Sequence, residues 1–143
     1  MAKVHGRKAF FSITDSGGVA RDLSNAMNNI DYPDSVDIAE VSGFGDTDKS
    51  YVIGLKTRTI HAAGNWNGAA NDVDETFSGL LGGGAAGTLL ATYIYGPAGS
   101  ATGNVKYTGQ CIVTAYGRTS PIGGAVTFSA DMQGNGTHTR TTF

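Results

Sequence analysis

The chain has 143 residues, 22 of them glycine, with 40% hydrophobic and only 15% charged positions. This composition fits one domain with a real core, built from short strands and turns rather than long helices. A formal charge of -2 excludes a general nucleic-acid binder, which needs clustered cations to displace counterions from phosphate, and the single cysteine, Cys111, excludes an intramolecular disulfide.

Residues 1–7 are basic and lack the apolar run of a signal peptide, so they read as a flexible arm on a protein made in the cytoplasm. No stretch reaches transmembrane length, and no membrane partner is expected. Residues 8–14 read as a first strand with Ala9, Phe11 and Ile13 on one face, closed by a turn at Asp15-Ser-Gly-Gly. Leu23, Ala26, Met27 and Ile30 fall at helical spacing, enough for a turn or two before an extended segment at 30–32.

The stretch 37–67 organises the rest. Residues 36–41 are β-rich, and residues 55–67 alternate, with Ile60, Ala62 and Trp66 on one side and Thr57, Thr59, His61 and Asn65 on the other. Between them lie Ser42, Gly43, Phe44, Gly45, Asp46, Thr47, Asp48, Lys49, Ser50 and Tyr51, a polar, glycine-bearing loop expected to be exposed and to bind another protein. Six of the twelve acids, Asp31, Asp34, Asp37, Glu40, Asp46 and Asp48, fall within eighteen residues, and no Lys or Arg occurs from Asp22 through Asp48. One acidic surface is expected, read either as a solvated face or as a contact surface.

One short helix is expected over 72–81. Asn71 or Asp72 caps it, Asp74 and Glu75 suit its positive end, Val73, Phe77, Leu80 and Leu81 form its apolar stripe, and Gly82 ends it. Residues 82–87 form a connector, and 88–95 are apolar on both faces, as in a central strand. From Val105 to Gly117 the odd positions are apolar or small, which makes Cys111 a buried free thiol. From Ala125 to Gln133, Val126, Phe128, Ala130 and Met132 face inward. Asn135-Gly136 reads as a hairpin turn into 138–143. A mainly β, antiparallel sandwich or barrel with one flanking helix follows.

No catalytic or metal-binding signature accompanies these elements. His5, His61 and His138 are scattered without metal-ligand spacing, Asp46-Thr-Asp48 lacks the later ligands of a calcium loop, and 82–88 lacks the lysine of a phosphate loop. No Gly-x-Ser-x-Gly elbow occurs. The expectation is no enzyme, no metal and no cofactor.

The order NNIDYP, VDIAEVSGFGDTDKSYVIGLKT, YGPAGSATGNVKYTGQCIVTAY and PIGGAVTFSADMQGNG resembles the major tail protein (tail tube protein) of long, non-contractile-tailed bacteriophages, over about residues 10–143. The resemblance implies a β-sandwich flanked by a helix, forming hexameric rings that stack into a virion tube for DNA ejection. It further implies that residues 42–51 reach the neighbouring ring and that tape measure, tail terminator and tail-tip proteins are partners. The basic residues Lys3, Arg7 and Lys8 suit arm contacts, whereas Asp31, Asp34, Asp37 and Glu40 suit either a DNA-repelling lumen or the ring-to-ring interface. The sequence ends at Phe143 without the second, immunoglobulin-like domain of larger members, so surface decoration is not expected. The competing reading is a monomeric sugar-binding or adhesion module, with Trp66, Tyr95, Tyr107 and Tyr116 as a stacking platform.

Overall fold

The computed structural model describes residues 3–81 and 90–143. The expected connector at 82–87, and the first two residues of the strand expected at 88–95, lie outside these. The described chain runs β1 (Phe10–Thr14), β2 (Ala20–Asp22), β3 (Met27–Asp31), β4 (Asp34–Glu40), β5 (Tyr51–Asn65), α1 (Val73–Leu80), β6 (Ala91–Gly96), β7 (Val105–Thr119) and β8 (Thr127–Thr142). All pairings are antiparallel, in the order β2-β1-β6-β7-β8-β5-β3, with β4 paired to β5 beyond the end of β3.

Strands from both halves of this sheet feed one core, so the sheet curls over itself. Phe11 and Ile13 of β1, Tyr93 of β6 and Cys111 of β7 meet Ile60 and Ala62 of β5 and Phe128, Ala130 and Met132 of β8. Burial pushes the Cys111 thiol up to about 12, so it stays an inert thiol at neutral pH.

Helix α1 closes the core with Val73, Phe77 and Leu80, all buried. The ring of Phe77 lies 5.8 Å from that of Phe128 and 5.9 Å from that of Tyr116. Asp72, rather than Asn71, is its N-cap and accepts the Val73 N–H. Asp74 then ties the helix start to the sheet: one carboxylate oxygen accepts from Trp66 Nε1 at 3.1 Å and Tyr116 Oη at 2.9 Å, with Arg118 Nη1 at 3.6 Å. The Trp66 bond, then the Tyr116 bond and the Arg118 charge, hold this carboxyl below its usual range. A lowered folded-state pKa means that the unfolded chain binds the proton more tightly. Asp74 therefore contributes stability that is complete above about pH 5 and is lost as pH falls through the folded-state value. Asp74→Asn is expected to cost about 1–2 kcal/mol at pH 7 and to flatten the acid limb of urea-unfolding stability between about pH 5 and pH 3. An unchanged acid limb would refute the assignment.

Three expectations are corrected. Residues 23–26 form a turn, with Ala26 N–H donating to Leu23 O, and the chain is extended from Met27; the apolar spacing reflects inward contacts from a turn and a strand, not a helix. The inward phase of β7 changes partway: a bulge between Val113 and Ala115 leaves Ala115 exposed and turns Tyr116 onto Phe77. Asn135-Gly136 is not a hairpin turn. Strand β8 runs continuously through it, and Gly136 takes φ +73° where the pairing with β7 slips between Thr108 and Gln110, because a bulge uses the same left-handed backbone as a tight turn.

Candidate assembly interface

Strands β4 and β5 extend from the sheet as a two-stranded hairpin. Strand β5 pairs with β8 only from Thr59 onward, so, among the described residues, 51–58 pair with β4 alone and nothing pairs with either outer edge of the hairpin. Every residue of β4 is exposed, as are residues 51–57 of β5. Two residues of β5, Gly54 and Leu55, oppose Asp37 in a bulge, which puts Val36, Ile38, Ile53 and Tyr51 on one face and Val52 and Leu55 on the other. Leu55 is 82% exposed and Ile53 77%. The hairpin is thus apolar on both faces, which explains why sequence alternation underestimated its length: β5 begins at Tyr51, not Leu55.

The tip is ordered by its own polar groups. Val41 N–H donates to Ser50 O, Ser50 N–H to Ser42 Oγ at 2.8 Å, and Gly43 N–H to Asp46 Oδ2 at 2.6 Å. Asp46 N–H closes a turn on Gly43 O, with Gly45 at φ +90°, the left-handed third position that such a turn requires. Phe44, the second position, is pushed fully outward at 112% exposure. Thr47, Asp48 and Lys49 complete the exposed tip.

The root is fixed by a polar cluster that sequence reasoning missed. Arg58, 6% exposed, donates from Nη1 to Gly136 O and lies 3.9 Å from Asp34 through Nε. Its stem crosses Gly134, where any Cβ would stand 2.4 Å from Arg58 Cγ. Tyr32 Oη is 2.6 Å from Tyr93 Oη and 2.5 Å from His138 Nδ1, while His138 Nε2 faces Asp34 Oδ2 at 3.4 Å. Burial, with Arg58 adding to it, holds His138 below the ordinary histidine range, so at neutral pH the ring is uncharged and accepts at Nδ1 from Tyr32. Burial raises the Tyr32 phenol, keeping it a donor. Pro33, which forces Tyr32 into extended backbone, was the one local signal for this root.

The acids do not share one surface. Asp31 pairs with His61 on the outer face of the sheet, Asp34 serves the root, Asp37 occupies the hairpin bulge, and Glu40 lies opposite Tyr51. That outer sheet face is polar: in register across three strands lie Asp31, His61 and Asp131, with His61 Nδ1 2.5 Å from Asp131 Oδ1. Thr59, Asn65, Ser129 and Gln133 extend it, again facing away from the core. No Lys or Arg projects from these positions. At the other edge of β3, residues of the arm, Val4 through Arg7, and β3 itself line a groove of about 890 Å³. Within the arm, Gly6–Lys8 forms one 3-10 turn capped by His5, whose Nδ1 accepts the Arg7 N–H; Lys3, Arg7 and Lys8 are exposed.

The aromatics proposed as a sugar platform separate into two groups. Trp66 and Tyr116 both bond Asp74, whereas Tyr95 and Tyr107 pack on Tyr32 with centroids 5.4 and 5.5 Å away. Among the described residues no cluster of His, Cys, Asp and Glu has the form of a metal site, and no helix is long and apolar enough to cross a membrane.

No protein-family model and no curated protein matches the chain. Solved structures do. The tail of an empty gene transfer agent particle, refined with C6 symmetry, aligns over 97% of this chain and 99% of its own at 13% identity and TM-score 0.72. The SPP1 tail tube aligns over 99% of this chain and 80% of its own at 11% identity and TM-score 0.72. A chain of the anti-feeding prophage baseplate aligns over 99% and 97% at 7% identity and TM-score 0.75. At such identities the likeness is one of architecture: the curled antiparallel sheet flanked by α1 has the fold of these tail and tube chains.

Proposed function

We propose that this chain is a structural, non-catalytic subunit of a phage-type tail tube, assembling into six-membered rings that stack into a conduit for DNA. The observation that carries this reading is the β4–β5 hairpin, which exposes a large apolar surface on both faces within a tail-tube fold. A two-stranded hairpin is marginal alone in water, and free strand edges are an aggregation hazard unless neighbours complete them. Burial against a second copy supplies what the isolated hairpin lacks.

In this reading residues 42–51 reach the adjacent ring, and Lys3, Arg7 and Lys8 of the arm contact acids of a neighbouring copy. The outer face bearing Asp31, His61 and Asp131 lines the lumen. A wall with carboxylates and no Lys or Arg gives phosphate no counterion-release affinity, so DNA slides without sticking. Glu40 and Asp37 lie on the hairpin and belong to the ring-to-ring contact. The particle is a virion tail or a related tube, and the further partners are tape measure, terminator and tail-tip proteins. Support for such company comes from the solved relatives, which include a baseplate and a tube-terminating cap.

Negative-stain electron microscopy of the purified chain across concentration, with sedimentation velocity, tests this. Hollow tubes or six-membered rings are expected. A chain that stays monomeric at high concentration, alone and when seeded with assembled tails, overturns the proposal.

A further inference from the structure

Stacking identical rings head to tail is a heterologous contact, which needs two different surfaces at opposite ends of the subunit. The hairpin supplies one. Strand β5 runs without interruption from Tyr51, at the hairpin tip, to Asn65, a span of about 45 Å at the usual rise per residue. Asn65 pairs with Thr127 and Thr127 with Thr119, so the loop joining β7 to β8 lies at the end of the subunit remote from the tip. This loop, Ser120-Pro-Ile-Gly-Gly-Ala-Val126, carries Ile122 at 109% exposure, and beside it Trp66 N–H donates to Val126 O. Phe44 and Ile122 are the two most exposed large apolar side chains among the described residues, and they stand at opposite ends of one strand.

We infer that the β7–β8 loop is the acceptor surface for the hairpin tip of a second copy in the next ring, with Phe44 packing against Ile122. This rests on the tube reading above and assigns the partner residues of its axial contact. A fully solvated isoleucine on a proline- and glycine-bounded loop contributes nothing to the monomer, so its removal leaves the fold intact.

The test uses the full chain with Phe44→Cys and Ile122→Cys singly and together, polymerised and treated with a short bismaleimide, then resolved on a denaturing gel. The buried Cys111 does not compete. The double variant is expected to give a ladder of covalent multimers and each single variant only monomer, because the contact joins unlike surfaces. In parallel, Ile122→Asp is expected to raise the concentration needed for tubes by about a hundredfold, with an unchanged melting curve, and Ile122→Leu to restore it. Tubes of the double variant with no ladder, or Ile122→Asp tubes at the unmodified concentration, overturn this contact and leave the tube reading standing. An unmodified chain that stays monomeric at high concentration, alone and when seeded with assembled tails, overturns both.

Discussion

Deleting residues 45–49 is expected to abolish tubes while leaving the monomer folded. The expectation follows from where the tip's hydrogen bonds go. Ser42 bonds Ser50, Gly43 bonds Asp46, and Val41 bonds Ser50; each of these bonds lies within the tip, and none reaches the core. The deletion joins Phe44 to Ser50 and leaves a connection short enough to close a hairpin. Melting of the variant should fall within about 2 °C of the unmodified chain. Assembly is different, because without Gly45 and Asp46 Phe44 loses the turn that projects it outward. Burial of one phenylalanine is worth about 2 kcal/mol, and a ring of six copies multiplies the loss six-fold, so stacking fails outright rather than weakening. Full-length tubes from the deletion variant would remove residues 42–51 from the ring-to-ring contact. A collapsed melting transition would instead mean that the tip supports the monomer, contrary to its hydrogen bonding.

The sequence made the loop legible because its composition, two glycines, two aspartates and a lysine between apolar strands, has no use in a core. It made the helix legible because cap, first-turn acids and apolar stripe agreed over eight residues. It did not reveal the length of the hairpin, since Tyr51, Val52, Ile53 and Leu55 are apolar without alternation, the signature of a strand covered on both faces; here the covering lies outside the chain. It did not reveal the root either. Arg58, Tyr93 and His138 come from three different strands and Tyr32 from the link between β3 and β4, and their meeting depends on the curl of the sheet. Ile122 was visible in principle: an isoleucine between proline and two glycines has no strand to belong to, and an apolar residue in such a loop is a contact signal. The acids misled for the opposite reason. Closeness in sequence suggested one surface, but the pairing of β3 and β4 along successive parts of β5 and the alternation of β4 send them to separate places.

Gly64→Ala is expected to be the most damaging glycine-to-alanine change among the described residues. A Cβ at Gly64 would stand 2.0 Å from Ala26 O and 2.7 Å from Met27 Cα, and both are backbone, so no side chain can swing aside. Gly64 pairs with Met27 on one side and Phe128 on the other, and Asn65 N–H donates to Ala26 O. The added methyl must push β3 away from β5 or break that bond, and β3 carries Ile30, packed against the core. Overpacking against immovable backbone costs at least about 3 kcal/mol, read as a lower urea midpoint at unchanged slope. The loss extends past stability, because β3 is an edge of the sheet and carries Asp31 of the proposed lumen. Even at temperatures where the variant remains folded, a displaced β3 should impair ring closure, whereas Ile122→Asp should spare rings and prevent only their stacking. Sedimentation separates the two outcomes: single rings for Ile122→Asp, monomers for Gly64→Ala. Unperturbed urea stability of Gly64→Ala would mean that β3 does not lie against Gly64, and rings from a stable variant would release the β3 edge from any part in closing them.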